Sequence, residues 1–245
     1  MSEAVFNPFD DAEEIAKKSM VLFFLIDCSG SMSGSKIGTV NSIMEEIIPE
    51  LSGLGGADAD IKLAVMRFGT DSEWVYSEPI SVGDFEWKPL EADGVTDMGS
   101  AFSRLACKLS RREFMSAPSL SFAPVMILMS DGYPTDNFEK GLAELSHNRW
   151  YESGIKIAVA IGEDADAEIL ARFTGDSDAV VTAYNGEALA KLVRFVAVTS
   201  SQIGSQSVVL AENGEEPKTK QQAAAEQIRE FVDSAEISAD IEAGW

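Results

Sequence analysis

At 245 residues the chain is long enough for one large α/β domain that buries its own core without disulfide staples, and 45% hydrophobic with 24% charged residues is an ordinary globular balance. A formal charge of −22 repels nucleic acid and anionic membranes, so neither is an expected partner; cations and basic protein surfaces are favoured instead. Cys28 and Cys107 are far apart and form no CxxC pair, which argues against a structural zinc site and fits free thiols in a reducing compartment.

Residues 1–19 read as an N-terminal extension with a short helix near 10–18. It has no basic start followed by an apolar run, so no secretory signal is read, and the apolar runs 21–26 and 124–129 are too short to cross a bilayer. A cytoplasmic protein is the expectation. The run Met20-Val-Leu-Phe-Phe-Leu-Ile26 predicts a central strand, followed by a loop over 27–35. Ile37, Val40, Ile43, Met44 and Ile47 recur at helical spacing and predict a helix over 36–51. The breaker Leu51-Ser-Gly-Leu-Gly-Gly-Ala57 precedes a second strand at 61–68, and 74–80 alternates like an antiparallel edge strand.

A loop at 94–99 opens a helix reaching about 114, with Ala101, Leu105, Cys107 and Leu109 among its buried candidates. Then come a strand at 125–129, a helix over 138–151, a strand at 155–161, a helix over 165–173, a short strand at 179–182 and a last core helix over 187–198. Strands alternating with helices predict a Rossmann-like, doubly wound α/β fold. Its central sheet is mostly parallel, with one antiparallel edge strand and helices on both faces. The domain is expected to span 20–198. From 199 to 245 the composition shifts to Ser, Gln, Glu and Ala, which reads as an acidic tail that is flexible, docked on the domain or docked on a partner. Within it Ile228, Phe231, Val232 and Ile237 fall on one side of an amphipathic helix.

Three loops, each after the carboxyl end of a predicted strand, carry oxygen-bearing side chains: Asp27-Cys-Ser29-Gly-Ser31, the loop with Thr96, and the loop opening at Asp131. In open parallel sheets ligands bind at this edge, beside a topological switch point. Side chains two apart in an extended loop point the same way, so Asp27, Ser29 and Ser31 can converge while Cys28 turns aside. A set with hydroxyls and carboxylates but no histidine or thiolate selects Mg²⁺, Mn²⁺ or Ca²⁺ over zinc or copper. The carboxylates Asp27 and Asp131 can bind such an ion directly or through water. Asp97, after Thr96, stands where a small neutral residue is expected. It either opens the helix, where a carboxylate suits the dipole, or approaches the metal and weakens its pull on a partner's carboxylate; the helix start is the reading taken.

Asp27-Cys-Ser-Gly-Ser31, Thr96 and Asp131-Gly132 resemble the DxSxS…T…D metal-ion-dependent adhesion site (MIDAS) of von Willebrand factor type A (VWA) domains, over roughly residues 20–198. The resemblance implies that Ser29, Ser31 and Thr96 bind the metal directly and that Asp27 and Asp131 act largely through water. It also implies that an Asp or Glu of a protein partner fills the sixth position. The loop is further similar to the bacterial stand-alone TerY-like proteins of tellurite-resistance and stress operons. A metal-dependent protein-binding module, not an enzyme, is the expected function; the oligomeric state is left open.

The alternatives are a metal-assisted hydrolase or phosphatase, and a scaffold whose acidic tail does the binding. Position 29 is serine where a phosphorylated-aspartate mechanism needs a second aspartate, and Met32 occupies the centre of Gly30–Gly34, so no GxSxG elbow forms. His147, the only histidine, sits in a polar helical stretch and reads as a surface residue. No lysine or arginine motif addresses a phosphate. Trp74, Trp87 and Trp150 read as packing residues, whereas Tyr133 and Pro134 follow the third loop and would shape the rim that meets a partner.

Overall fold

A strand with large apolar side chains on both faces must be covered on both, and the run after Lys18 is of that kind. In the computed structural model, which describes residues 17–52, 59–115, 118–205 and 218–234, it forms β1 (Lys18–Asp27) at the middle of a seven-stranded sheet. The other strands are β2 (Ala59–Phe68), β3 (Ser72–Trp74), β4 (Ile80–Ser81), β5 (Val125–Ser130), β6 (Ile155–Ile161) and β7 (Val180–Ala183). Their order is β3-β2-β1-β5-β6-β7, with β4 also on β2. β1, β2, β5, β6 and β7 run parallel; β3 and β4 are antiparallel to β2.

The helices are α1 (Ser35–Leu51), α2 (Met98–Lys108), α3 (Phe138–Ser146), α4 (Arg149–Ser153), α5 (Ala167–Thr174), α6 (Gly186–Ser205) and α7 (Lys220–Val232). Alternation along β1 divides the core in two. Met20, Leu22, Phe24 and Ile26 join the buried residues of α1, α6 and α7 on one face. Val21, Phe23 and Leu25 join those of α2, α3, α4 and α5 on the other. This is the doubly wound α/β architecture expected.

Particular elements differ from the expectation, each for a local reason. The edge beside β2 consists of two short segments, β3 pairing with Met66–Phe68 and β4 with Lys62–Leu63. Helix α2 stops at Lys108, where the Asn148 side-chain amide donates to the carbonyls of Ala106 (3.1 Å) and Leu109 (2.8 Å). The same Asn148 accepts from Trp150 N (2.9 Å) as an N-cap, and so divides the helix expected over 138–151 into α3 and α4. Cys107, expected to be buried, is exposed, because it lies on the outer side of α2. The leading helix near 10–18 lies outside the described residues up to position 16, and Lys18 already belongs to β1.

The described residues beyond Val198, 199–205 and 218–234, are largely helical, which their composition did not indicate. Helix α6 continues to Ser205 with Thr199, Ser200 and Ser201 buried, and Ser201 Oγ donates back to Ala197 O (2.5 Å). Its small residues serve close packing: a Cβ on Gly204 would fall 2.8 Å from Met20 Sδ. Helix α7, opened by a capping box between Thr219 and Gln222, buries Ala223, Ala224, Ala225 and Ile228 against the domain. The Gln221 amide accepts from Lys156 N (2.7 Å) and donates to Lys156 O (2.9 Å), pairing with β6 just ahead of the point where β7 takes over. Phe231 stacks on Phe195 of α6 at 3.8 Å between ring centroids.

Candidate metal centre

After β1 the chain turns one way across the sheet to β2, and it later returns to the opposite side as β5. The carboxyl ends of β1 and β5 therefore lie side by side at the switch point, which puts Asp27 beside Ser130 and Asp131. Ser130 Oγ donates to Asp27 Oδ2 (2.6 Å), and Ser29 N donates to Asp27 Oδ1 (2.8 Å). The first loop is extended at Ser29, and Gly30–Met32 then form a 3-10 turn. That turn, rather than simple alternation, brings Ser31 back to Ser29, with their hydroxyls hydrogen-bonded at 3.0 Å. Ser31 Oγ also donates to Asp131 Oδ1 (2.7 Å).

Thr96 arrives from the second loop, which is fastened to the first: Gly30 N donates to Gly94 O (3.0 Å) and Asp93 N to Cys28 O (2.8 Å). Gly94 sits at φ 82°, and a Cβ there would lie 2.0 Å from Thr70 Oγ1, so only glycine serves this crossing. The third loop holds Thr96 from its other side. Thr96 N donates to Thr135 Oγ1 (3.1 Å), Thr135 N to Thr96 O (2.8 Å), and Thr135 Oγ1 to Asp97 Oδ1 (3.1 Å). Asp97 is thus the N-cap residue of α2, engaged with Thr135, as the helix-start reading expected. The backbone groups that open α2 are satisfied from elsewhere: Gly99 N and Ser100 N donate to the two oxygens of Asp136, at 2.8 and 2.7 Å. A Cβ on Gly141 would fall 2.1 Å from Gly99 O, so glycine lets α2 and α3 approach closely enough for this join.

The five expected residues do come together. A methyl group built on Gly132 would sit 3.4 Å from Thr96 Oγ1, 3.7 Å from Ser31 Oγ and 3.9 Å from Asp27 Oδ2. Oxygens from all three loops therefore surround one small cradle. Asp27, Ser29, Thr96 and Asp131 are buried and Ser31 is exposed, so the cradle opens to solvent on the Ser31 side.

Its electrostatics are unusual for a protein interior. Asp27 has no exposed surface, and no lysine or arginine among the described residues pairs with it. Burial pushes its carboxyl above the ordinary range; hydrogen bonds from Ser130 and Ser29 pull it back, and nearby Asp131 raises it further. A buried carboxylate without a counter-charge is costly, and a cation in the cradle would relieve that cost. The donor set suits a hard ion: two carboxylates with three hydroxyls, and no imidazole. The Cys28 thiol, pushed up to about 12 mainly by burial, is no thiolate ligand at neutral pH.

Four contributors were not found from the sequence. Ser130, Thr135 and Asp136 fix the ligand-bearing groups and carry no motif of their own. The fourth is Lys36, in the first turn of α1, whose ammonium donates to Asp131 Oδ2. Its only signal in the sequence is its placement just beyond the DxSGS loop. His147 is exposed at the end of α3 and takes no part.

Asp136 supplies the first prediction. Asp136→Ala removes a cap worth about 1 kcal/mol and leaves the α2 amide groups unpaired. A thermal melt is expected to fall by a few degrees, with weaker Mn²⁺ binding because the segment carrying Thr96 loosens. Unchanged Mn²⁺ affinity would show that Thr96 is positioned without the cap.

The fold and the cradle together define an α/β domain with an oxygen-lined cradle at the carboxyl edge of its sheet. The chain belongs to the von Willebrand factor type A domain family, whose model matches residues 22–196. Domains of this family commonly mediate metal-dependent protein interactions.

Solved structures share the fold. A von Willebrand factor type A protein from Catenulispora acidiphila superposes with TM-score 0.56 at 22% identity, over 75% of this chain and 43% of that one. Proximal thread matrix protein 1 from the mussel byssus, in a form with a zinc-occupied MIDAS motif, gives 0.58 at 15% identity, over 76% and 49%. The pilus adhesin SpaC from Lactobacillus rhamnosus GG gives 0.60 at 14%, over 76% and 31%. The chain spans less than half the length of each of these three. No curated protein matches it in sequence. No helix among the described residues is long and apolar enough to cross a membrane.

Proposed function

We propose that the domain is a divalent-cation-dependent protein-binding module. In this reading Asp27, Ser29, Ser31, Thr96 and Asp131 hold one Mg²⁺, or Mn²⁺ or Ca²⁺ in its place, and the Asp or Glu of a protein partner completes the coordination. When bound, the cation supplies an electrophilic point for that carboxylate. The protein's own residues do the rest: Asp27 and Asp131 supply charge, the hydroxyls supply neutral oxygens, and Ser130, Thr135 and Asp136 keep them in place.

The observation that carries the reading is the convergence of oxygens from three loops on a cradle whose buried Asp27 lacks a paired cation. Its surroundings suit a protein partner. Val95, next to Thr96, is 46% exposed and Tyr133, two residues past Asp131, is 61% exposed. They are two of the three large apolar side chains exposed among the described residues, and aromatic side chains at such rims serve as interface anchors. Zinc in the mussel protein's MIDAS shows what that protein accommodates; here the all-oxygen set favours harder ions.

A hydrolase would need a general base beside the metal, and among the described residues the cradle offers none beyond the two carboxylates read as its ligands. We therefore read the domain as non-enzymatic. A cytoplasmic place in a stress-response or tellurite-resistance complex is the narrower form of the proposal, and it rests on the loop's likeness to TerY-like proteins.

Calorimetric titration with Mg²⁺ or Mn²⁺ is expected to show one site that Ser29→Ala removes while the circular dichroism spectrum stays unchanged. The immobilised domain should then retain a partner in Mg²⁺ and release it in EDTA. A partner held as tightly in chelator, or by the Ser29→Ala protein, would refute the mechanism.

A further inference from the structure

The cradle's charges do not balance in the way a site made only to retain a divalent ion would require. Asp27 and Asp131 bring two negative charges, enough to neutralise a divalent cation alone. Lys36 adds a positive charge, and its ammonium lies on Asp131 Oδ2 while Ser31 occupies Oδ1. The contact is built in. The Asp131 side chain is 1% exposed and that of Lys36 is 23% exposed, so the lysine reaches inward from the first turn of α1. Among the described residues its ammonium has no other hydrogen-bond partner: it contacts neither Asp27 nor the hydroxyls of Ser29, Ser31 and Thr96. Its one hydrogen bond goes to Asp131 Oδ2, which leaves Asp27 and the three hydroxyls without an ammonium partner and available to an ion.

We propose that Lys36 is a specificity-determining residue that exchanges metal affinity for carboxylate affinity. Resting on the metal-binding reading above, the inference follows from charge. Without Lys36, two carboxylates and a divalent ion sum to zero, and an incoming carboxylate meets a neutral site. With Lys36 the loaded site carries one net positive charge, which a partner's single carboxylate neutralises. The same ammonium repels the entering cation, so it lowers metal affinity. The overall charge of −22 makes a local positive centre valuable, since any acidic ligand must approach against that field. The ligand class is accordingly a lone side-chain carboxylate in a neutral or basic setting, rather than an acidic run.

The test uses the full chain, Mn²⁺ and acetate as probes. Water-proton relaxation reports Mn²⁺ binding, and the fall in relaxivity on adding acetate reports displacement of water from the bound ion. Lys36→Met keeps the apolar stem and removes the charge; Lys36→Arg keeps the charge. Lys36→Met is expected to bind Mn²⁺ about tenfold more tightly and, once loaded, acetate about tenfold more weakly. Lys36→Arg should stay near wild type in both. Opposite shifts in the two affinities are the signature, since a purely structural defect weakens both. Parallel loss, no change, or a shift in only one affinity overturns the role given to Lys36. If the wild-type protein binds no Mn²⁺, the metal-binding reading itself fails, and this inference with it.

Discussion

Asp27→Asn is expected to abolish Mn²⁺ binding while leaving the protein, in EDTA, within about 1 kcal/mol of wild-type stability. The amide oxygen keeps the acceptor for Ser29 N, which bonds Asp27 Oδ1 at 2.8 Å, and the NH₂ takes the place of Oδ2, where the Ser130 hydroxyl, a donor at 2.6 Å in the wild type, turns to accept. What it removes is a fully buried charge that no lysine or arginine among the described residues offsets. The sign of the pH dependence follows. Burial raises the folded carboxyl above its ordinary range, so the folded state holds its proton more tightly than the unfolded chain does. Ionisation then costs stability as pH rises from the ordinary carboxylate range through the raised folded value, and acidification recovers it. This component should be present in metal-free wild type and missing from the variant. Saturating Mn²⁺ at about 100 times its dissociation constant adds about 2.7 kcal/mol to wild type, or about 5–10 °C in melting temperature for a chain of this size. The variant should show no such shift. An equal Mn²⁺ shift in Asp27→Asn would remove Asp27 from the metal centre, and a large loss of stability in EDTA would make it a structural residue instead.

That Asp27 combines burial with the lack of a counter-charge is invisible in one dimension, whereas its position at the sheet edge was legible. The apolar runs within β1, β5 and β6, broken in β6 by Lys156, point to buried parallel strands, and a loop of Asp, Ser and Gly after such a strand falls at its carboxyl end. Asp131 follows from the same logic; Thr96 does not, because its loop comes after the two-residue antiparallel β4 and a 3-10 turn. The residues that make the site rigid were not legible, because they work through backbone groups distant in sequence. Asp136 caps a helix that begins 38 positions earlier at Met98, and Asn148 ends one helix while starting another. Periodicity sees the apolar stripe of a helix but not the side chain from elsewhere that terminates it. For the segment after Val198 composition left flexibility, docking on the domain and docking on a partner all open, for a related reason. Thr199, Ser200, Ser201 and Gly204 resemble a polar linker in composition, yet small residues are what a helix needs where it lies close against a sheet.

The second large effect concerns that segment, and it should dissociate from the first. Ending the chain at Ser205 removes α7, which buries three alanines and Ile228 on the core that α1 and α6 share. It also unstacks Phe195 and exposes the start of β6 where Gln221 pairs with Lys156. Losing contacts of this kind costs about 3–5 kcal/mol, which lowers the melting temperature by roughly 10 °C. Metal binding should survive. Helix α7 meets β6 at Lys156, the amino-terminal end of that strand, whereas Asp27 and Asp131 stand at the carboxyl ends of β1 and β5, the length of the sheet away. Ile228→Ala provides the milder version of the experiment, with a smaller loss of stability and the same unchanged Mn²⁺ affinity. If the shortened chain remains folded and binds Mn²⁺ but no longer retains its partner, the acidic tail rather than the cradle makes the decisive contact. If both variants lose stability alone, the protein divides into a binding edge and a supporting end, and α7 belongs to the support.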